Sequence, residues 1–347
     1  MLDLGDGQAL RARCARRPRR WQAALDRGDV YLAWARSLDQ PESVKPEPRP
    51  APRPPRTARP KGLSVTEIEH WLRDPYTIYA KHVLKLAPLD EVDAAPGAAE
   101  RGTVIHNVLR EFSERFAKEL PADPAGVLID MGKKYFAAIE EFPEARAFWW
   151  PRFMRIAQWL GGWEAGRRAS HELVAAEIRG AIEMPLAEGA FKLTGIADRI
   201  ERDAAGSYVI LDYKTGSVRS EKQVRTGLAP QLTLEAAMLR HGGFNGGATP
   251  IPAGGSVSEL AYVALKGGAR AGEFMPIDFK EGTPNAQADR ALEKLAELVR
   301  RFDDDHEPYR SLVHPMWKAR YGDYDHLARV KEWSSTGGPE DDIPGAP

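Results

Sequence analysis

The sequence predicts a mixed α/β fold, in which a mixed β-sheet core is flanked by helices and preceded by a helical N-terminal layer. Apolar residues recur at helical spacing in some segments and alternate with polar residues, as in strands, in others. Helical and strand-like segments follow one another along the chain, which favours a sheet covered by helices. The chain has 347 residues, of which 43% are hydrophobic, enough for one sizeable core and a smaller element.

The composition excludes several classes of protein. A single cysteine, Cys14, cannot form a disulfide framework, a cysteine-ligated zinc site or an iron–sulfur cluster within one chain. No uninterrupted apolar run approaches the ~18 residues of a membrane span, and the first residues contain no secretory signal. We therefore expect a cytoplasmic protein that has no membrane partner.

The two ends of the chain differ in composition from the rest. Residues 1–61 contain 14 Lys/Arg and 7 Asp/Glu, a net charge of +7, whereas the whole chain has a net charge of -1. Residues 1–40 are predicted to be helical in part. Residues 41–62 are rich in proline and arginine and are interpreted as a plain spacer, with a weak contact of the arginines to DNA or a partner as the alternative. Residues 334–347 are polar and rich in Gly and Pro, so we expect disorder there.

Helices are predicted to open the folded domain, which we place at residues 63–333. Ser64 and Glu67 form a capping-box pattern, so a helix begins there. A second helix is predicted after Gly102, because the apolar residues that follow it share one helical face. Helical periodicity rich in aromatic residues runs from residue 125 to about residue 168. Core or interface packing is the favoured interpretation of these aromatics, and a stacking platform for single-stranded DNA is the alternative.

The middle of the chain changes to strand-like patterns. The turn residues 203–207 are expected to join two strands into a hairpin. Three strands are predicted here: 173–184, 191–201 and 208–214. The remaining predicted elements are a helix over 230–240, strands over 260–265 and 274–279, and an amphipathic helix over 286–302.

Two carboxylates and an amine at one end of this hairpin carry the functional prediction. Successive side chains of a strand alternate faces, so Asp212 and Lys214 point to the same side. With a turn centred near residues 204–205, Asp198 lies about opposite Asp212, and directly opposite side chains are ~5 Å apart. Two carboxylates that share a site repel each other, and a divalent cation removes that conflict. Oxygen ligands favour Mg²⁺ or Mn²⁺ over zinc.

Such a site predicts hydrolysis of a phosphodiester. The cation acidifies a water molecule and clamps a phosphate oxygen, while Lys214 orients that water or stabilises the developing charge. Taken alone, Asp198 would be interpreted as a cap or as a partner of Arg199 or Arg202, and Asp-x-Lys as a surface salt bridge. Their combination favours the catalytic interpretation. A carboxylate-pair hydrolase acting on sugars is a further alternative, but the neighbouring Lys214 and His106 fit phosphate chemistry better.

The sequence resembles the PD-(D/E)XK nuclease superfamily, in its RecB-like branch, over roughly residues 63–333. The resemblance is carried by residues 195–198 (Gly-Ile-Ala-Asp) followed by residues 212–214 (Asp-Tyr-Lys), with two further motifs in the same order as in the family. Residues 102–106 resemble the branch's Gly-x-x-x-His helix, and Gln231 begins a segment similar to its Gln-Leu-x-x-Tyr helix. The resemblance implies a restriction-endonuclease-like fold. It implies catalytic roles for Asp198, Asp212, Lys214 and Gln231, and metal ligation by His106, Asp198, Asp212 and the backbone carbonyl of Tyr213.

Two further motifs narrow the resemblance to the C-terminal nuclease domain of AddB. They are residues 64–69 (Ser-Val-Thr-Glu-Ile-Glu) and residues 324–329 (Tyr-Asp-His-Leu-Ala-Arg). This resemblance implies a Mg²⁺- or Mn²⁺-dependent DNA exonuclease, acting on single strands fed by an AddA-like helicase–nuclease partner in double-strand break repair. Residues 1–40 would then be the remnant of a preceding helicase-like region.

The sequence departs from the AddB pattern at two points. Asp74 stands where many members have a cysteine, and the late cysteines are absent, so a cluster-free branch without an iron–sulfur cluster is expected. Glu235 replaces the tyrosine of the Gln-Leu-x-x-Tyr motif and, like Glu177, is a possible additional member of the site. Glu177 is equally consistent with a solvent-facing position on an edge strand. For the whole chain, the alternative function is a non-catalytic subunit that binds DNA and scaffolds a partner.

Overall fold

The computed structural model describes residues 19–38, 48–89, 96–139, 141–246, 251–312 and 322–335. The chain divides into two compact units, Met1–Pro48 with Glu332–Pro347 and Arg49–Lys331. In the first unit, helix α1 (Arg19–Leu38) agrees with the prediction of partial helicity over residues 1–40. Disorder is predicted for residues 334–347. Residues 336–347 of this tail lie outside the described residues.

The second unit contains a six-stranded mixed sheet within the described residues. Its strands are β1 (Gly62–Ser64), β2 (His171–Pro185), β3 (Ala190–Asp203), β4 (Tyr208–Lys214), β5 (Val257–Ala264) and β6 (Glu273–Pro276). Its helices are α2 (Val65–Arg73), α3 (Pro75–Ile78), α4 (Ala98–Arg115), α5 (Pro124–Phe136), α6 (Pro143–Arg168), α7 (Glu221–Arg225), α8 (Gln231–Arg240) and α9 (Pro284–Phe302), and α10 (Val330–Ser335) follows at the boundary of the two units.

Two strands share one edge of strand β3 and leave part of that edge unpaired. Along one edge β3 pairs with β2, antiparallel; along the other it pairs first with β1, parallel, and then with β4, antiparallel. The pairing with β1 ends at Thr194 and the pairing with β4 begins at Arg199, opposite Leu211. Beyond Leu211, β4 continues only along β5, which is parallel to it. Residues 195–198 therefore border a gap between two strands.

The β3–β4 hairpin forms as the sequence predicts. The carboxylate of Asp203 accepts hydrogen bonds from the backbone N–H groups of Ala205 and Ser207, both at 2.9 Å. Gly206 has a φ of +84°, a conformation that glycine adopts without steric cost. This local chemistry closes the turn and fixes the register of the two strands.

Helices cover both faces of the sheet, so the predicted mixed α/β class with flanking helices is confirmed. Side chains of β4 alternate between two hydrophobic clusters: Ile210 belongs to the first, and Leu211 to the second. The first cluster includes residues of α2, α8 and α9, and the second includes residues of α4, α5 and α6. The predicted aromatic segment lies mainly in the second cluster, where Trp159 stacks on Trp163 with ring centroids 5.9 Å apart.

Several boundaries differ from the prediction, and three of the differences concern helices. Helix α4 begins at Ala98 rather than after Gly102, because Glu100 accepts a hydrogen bond from the N–H of Gly97 at 2.7 Å and so caps an earlier turn. The segment predicted as continuous helical material from residue 125 is two helices, α5 and α6. Pro230 precedes α8 as its N-cap residue rather than lying in its first turn.

From Arg49 onward the proline-rich segment belongs to the second unit and packs within it, rather than being a free spacer over its whole length. Arg59 is 6% exposed, and its guanidinium donates to the carbonyls of Pro54, Phe302 and Asp305 at 2.9–3.0 Å. Composition could not reveal these contacts, because two of the three acceptors lie more than 240 residues away in sequence.

Asp74, which stands at the cysteine position of the AddB pattern, also makes a long-range contact. Its carboxylate accepts hydrogen bonds from the N–H of Leu312 at 3.0 Å and from the hydroxyl of Thr77 at 2.9 Å. Burial raises its pKa. The contact ties the α2–α3 junction to the segment that follows α9. Among the helices of the described residues, none combines the length and apolarity needed to span a membrane.

Candidate active site

The gap beside β3 holds the side chains that the sequence singles out. The cavity there has a volume of about 1100 Å³. Asp198 reaches it from β3, Asp212 and Lys214 from β4, Glu177 from β2, His106 from α4, and Gln231 from the start of α8. Five separate elements thus contribute to one site, and the predicted convergence of the hairpin residues with His106 is present in the structure.

Asp212, Lys214 and Gln231 form a compact polar group. The Lys214 ammonium donates to Oδ1 of Asp212 at 3.0 Å and lies 2.7 Å from Oδ2. Gln231 accepts from Lys214 at 3.2 Å through Oε1 and donates to Oδ1 of Asp212 at 2.6 Å through Nε2. Burial lowers the pKa of Lys214, but the charge of Asp212 and the hydrogen bond to Asp212 raise it by more than burial lowers it. The net shift is upward, so Lys214 is a cation. Gln231 fixes the orientation of both partners.

Glu235 lies one helical turn beyond Gln231 and is fully buried. Its Oε1 accepts a hydrogen bond from Nε2 of Gln231 at 3.1 Å, while its Oε2 has no hydrogen-bond partner among the described residues. Burial, followed by the charges of Asp212 and Asp198, raises the pKa of Glu235 well above its usual range. Burial of this carboxyl behind the site therefore favours its protonated form over the carboxylate.

His106, Glu177 and Asp198 form a second group. Nδ1 of His106 lies 3.5 Å from Oε1 of Glu177 and 3.8 Å from Oδ2 of Asp198, and one ligand atom from each of the three lies within 4.8 Å of the others. Burial and then the charge of Asp212 raise the pKa of Asp198 to about 7. Burial lowers the pKa of His106, but the nearby carboxylates of Glu177 and Asp198 raise it above its usual value.

These residues fit a divalent cation. The group of His106, Glu177 and Asp198 could hold a metal ion, and Asp212 lines the same cavity. Oδ2 of Asp212 is a buried oxygen that accepts no well-oriented hydrogen bond among the described residues, although Lys214 is near. Oxygen atoms with a single imidazole suit Mg²⁺ or Mn²⁺. A cation would relieve the repulsion that raises the pKa of Asp198.

Glu177 joins the site through an unusual backbone conformation. Its φ is +48°, although it is not glycine and lies in the middle of β2. Its neighbours Ala176 and Ile178 keep their register with Arg199 and Ala197 of β3. Positive φ at such a residue costs of order 1–3 kcal/mol and is typical of functional sites. Of the two interpretations left open by the sequence, the structure favours membership of the site, since the side chain is only 23% exposed and faces His106.

Asp198 does not pair with Arg199 or Arg202 in the structure, which is the alternative interpretation of this residue. Oδ2 of Asp198 accepts a hydrogen bond from the backbone N–H of Tyr213 at 2.8 Å, across the gap where regular strand pairing has ended. The side chain of Tyr213 is buried in the second hydrophobic cluster, as the sequence suggests. Its hydroxyl accepts a hydrogen bond from Arg199 at 3.2 Å.

Arg199 belongs to a buried ionic network that the sequence analysis missed. The guanidinium is fully buried and donates to both carboxylate oxygens of Glu164 on α6 and, through Nε at 2.7 Å, to Glu201. The network lies behind the site, on the face of the sheet opposite Asp212. The signal in the sequence that could have indicated this network is a charged residue, Arg199, placed directly after Asp198 in a strand that is buried at that point.

Comparisons with known proteins agree with this geometry. Residues 62–320 match the PD-(D/E)XK nuclease superfamily. An uncharacterized protein of Rickettsia bellii (strain RML369-C) is 28% identical over 276 residues, covering 77% of this chain and 32% of the relative. The uncharacterized protein RT0391 of Rickettsia typhi (strain ATCC VR-144 / Wilmington) is 33% identical over 190 residues, covering 54% of this chain and 22% of the relative.

This chain therefore spans about a third or less of the length of these curated relatives. The crystal structure of SSO0001 aligns with 80% of this chain and 88% of its own, at 14% identity and a TM-score of 0.27. The superfamily match covers most of the second unit and includes the gap beside β3. The chain belongs to the PD-(D/E)XK nuclease superfamily.

Proposed function

We propose that this chain is a Mg²⁺- or Mn²⁺-dependent deoxyribonuclease whose active site is the gap beside β3. The observation that carries the proposal is the convergence of Asp198, Asp212 and Lys214 at the open end of one hairpin, with His106 and Glu177 completing a group of ligands. Superfamily membership supplies the reaction class, a nuclease, and the residues supply the assignment of roles.

Four side chains would hold the cation: His106, Glu177, Asp198 and Asp212. The backbone carbonyl of Tyr213, which the family resemblance implies as a ligand, would be a fifth. When bound, the cation supplies Lewis acidity toward a phosphate oxygen and lowers the pKa of a water molecule. Glu177 and His106 add ligands that the hairpin alone does not provide, and the strained backbone of Glu177 fits a residue selected for binding rather than for stability.

Lys214 stabilises the negative charge that develops on the phosphate. Its ammonium is held between Asp212 and Gln231 and is therefore oriented before the substrate arrives. A cation fixed in a largely buried site stabilises charge more strongly than one in water, because no solvent has to reorganise around it. Gln231 acts through Asp212 and Lys214, so we assign it as a positioning residue. The buried carboxyl of Glu235 holds Gln231 in turn, by accepting a hydrogen bond from its Nε2.

The biological setting rests on the resemblance to the nuclease domain of AddB. We infer a cytoplasmic enzyme that degrades single DNA strands, delivered by an AddA-like helicase–nuclease partner, during recombinational double-strand break repair. Residues 63–333 would form the nuclease domain and residues 1–40 the remnant of a preceding helicase-like region.

Four single substitutions test the proposal. Asp212→Asn and Lys214→Ala should each lower Mg²⁺-dependent hydrolysis of linear single-stranded DNA by about 10²–10³-fold, because the first removes a charged ligand of the proposed cation and the second removes the ammonium that stabilises the developing charge. Asp289→Asn and Lys133→Ala are matched controls, since both residues lie in surface ion pairs and are at least half exposed. Full activity of either active-site variant would contradict the assignment.

Calorimetry with Mn²⁺ separates the nuclease from the alternative of a non-catalytic scaffold. The wild-type chain should bind Mn²⁺, and Asp198→Asn should bind it at least ten-fold more weakly, because that carboxylate belongs to the ligand group. Asp289→Asn again serves as the control. A wild-type chain that binds DNA but takes up no Mn²⁺ at the site would support the scaffold and refute the enzyme.

A further inference from the structure

The active-site cavity does not end at the metal ligands. A second cavity, of about 480 Å³, lies on the other side of His106 and Glu177 and shares both residues with the first. The two cavities meet at His106 and Glu177, so open space adjoins the ligand group from two directions, and we refer to the two cavities together as the groove. We call the side formed by α4 the helix arm and the side formed by β2 and β3 the strand arm.

The helix arm is lined by one polar stripe of α4. Thr103, His106, Asn107 and Arg110 all line the second cavity and stand at positions i, i+3, i+4 and i+7, so they share one face of the helix. The alternate face of α4 is apolar and buried in the second hydrophobic cluster. Arg110 is exposed and makes no ion pair with the described residues. It lies four residues from His106, about 6 Å along the helix axis.

The strand arm carries two further cations. Arg179 on β2 and Lys192 on β3 both line the larger cavity, are exposed, and form no ion pair within the described ranges. Arg179 is two residues beyond Glu177, about 7 Å along the strand. Ile196 stands opposite Arg179 in the register of β2 and β3 and is 42% exposed, so an apolar contact lies beside the cation. This arm thus offers charge for a phosphate and apolar surface for a sugar or base.

We propose that the two arms bind the same polynucleotide strand on opposite sides of the scissile phosphate, so that the site cuts internal linkages of single-stranded DNA. This inference rests on the proposed nuclease function. Arg110 would bind a phosphate on one flank and Arg179 a phosphate on the other, with Lys192 further out. In the reaction, water adds across one P–O ester bond, leaving a phosphate monoester on one product and a hydroxyl on the other.

Burial of the reacting groups favours a single strand over a duplex. The side chain of Asp212 is 3% exposed and that of Asp198 is 12% exposed, so the phosphate must descend into the groove to reach them. A flexible single strand can do this, whereas a duplex must be bent or opened at a cost of several kcal/mol. Because both arms continue past the ligands, no chain end is required. Exonucleolytic degradation would then come from how a partner delivers the strand, not from the shape of the site.

A covalently closed single-stranded DNA circle tests the inference, because it has no end. The full-length chain with Mg²⁺ or Mn²⁺ should convert the circle to linear and then shorter products, at a rate within a few fold of that on a linear strand of the same sequence. Asp212→Asn should abolish both activities. Degradation of the linear strand in a reaction that leaves the circle intact would overturn the inference while leaving the proposed nuclease standing. Failure to cut either substrate would overturn both.

Salt dependence of binding tests the two arms separately. In an Asp212→Asn background, binding of a fluorescein-labelled dT oligonucleotide about 12 nucleotides long is measured at several salt concentrations. Each phosphate contact to a single strand contributes about 0.7 to the slope of log K against log[salt]. Arg110→Ala and Arg179→Ala should each reduce the slope by about 0.7, and the double variant by about 1.4.

Arg290→Ala is the matched control for these variants, because Arg290 is exposed on α9 and lines neither cavity. It should leave the slope unchanged. A slope that stays the same in Arg110→Ala would remove the helix arm from the DNA path, and the same result in Arg179→Ala would remove the strand arm. Either result contradicts a strand bound on both sides of the scissile phosphate.

Discussion

Replacing Arg199 with methionine should destabilise the protein far more than replacing an arginine elsewhere on the same strand. Arg199 is fully buried, and its guanidinium holds two buried carboxylates, those of Glu164 and Glu201, and the hydroxyl of Tyr213. Methionine keeps much of the apolar volume but leaves both carboxylates without this counter-charge. The network connects the strand that carries Asp198 to the helical layer behind it.

The size of the loss follows from what remains around each carboxylate. Glu164 keeps a hydrogen bond from Arg168 at 3.1 Å, and Glu201 keeps one from Arg167 at 2.7 Å. Removing one member of a buried ion pair costs about 3–5 kcal/mol when the other charge is left unpaired. Since neither carboxylate becomes wholly unpaired, we expect the lower end, about 3 kcal/mol.

Urea denaturation measures this loss directly, with Arg202→Met as the control. Arg202 lies three residues further along β3, and its ion pair with Glu172 is long, 3.8 Å, and exposed. Such a pair contributes less than about 1 kcal/mol. Adding Glu164→Gln to Arg199→Met should restore part of the stability, because it removes one of the stranded charges. Equal losses for Arg199→Met and Arg202→Met would refute the reasoning.

Two more predictions concern stability. Gly162→Ala, on the exposed side of α6, should stabilise the protein by about 0.5–1 kcal/mol. Gly132→Ala should destabilise it by about 1–3 kcal/mol, because the added Cβ would clash with the Phe153 ring. Thermal denaturation in which both variants shift stability in the same direction would contradict these expectations. Burial raises the pKa of Glu67, but hydrogen bonds, led by that from Lys81, lower it from 4.5 to about 2. The ionised carboxylate therefore stabilises the folded state fully above pH 4.5. At pH 7 the free energy of unfolding of the wild type should exceed that of Glu67→Gln by about 2 kcal/mol, and this difference should shrink as pH falls from 4.5 toward 2. A difference that stays the same at every pH in urea denaturation would argue against the ionised carboxylate as its source.

The hairpin at the centre of the site was accessible from the sequence because its determinants are local. The turn residues fixed the register, and the alternation of strand side chains placed Asp212 and Lys214 on one face. The same register brings Asp198 next to Asp212, where the last paired residues are Arg199 and Leu211. The capping box at Ser64 was likewise readable, since its two partners are three residues apart.

Features that depend on distant contacts were not accessible. The direction of the Glu177 side chain follows from a positive φ that no local pattern requires, so strand alternation alone left its position open. The packing of Arg59 depends on carbonyls at the end of α9. The end of the β3–β4 pairing at Arg199 depends on β1 occupying the same edge of β3 further along, and β1 lies more than a hundred residues earlier in the sequence. Sequence periodicity carries no information about which strands share an edge.

The two faces of the sheet treat buried charge in opposite ways, and the contrast bears on which carboxylates are functional. Behind the sheet, three arginines and three glutamates neutralise one another, and these are Arg167, Arg168, Arg199, Glu164, Glu201 and Glu259. In the gap beside β3, burial and then the charge of Asp212 raise the pKa of Asp198 to about 7, and burial and then the charges of Asp212 and Asp198 raise the pKa of Glu235. Arginines neutralise the buried carboxylates behind the sheet, but no arginine neutralises Asp198 in the gap among the described residues. Keeping Asp198 ionised there has an electrostatic cost, and a bound cation would relieve it. Of the two acids with raised pKa values, Asp198 lines the groove where we propose the metal, whereas Glu235 lies behind it.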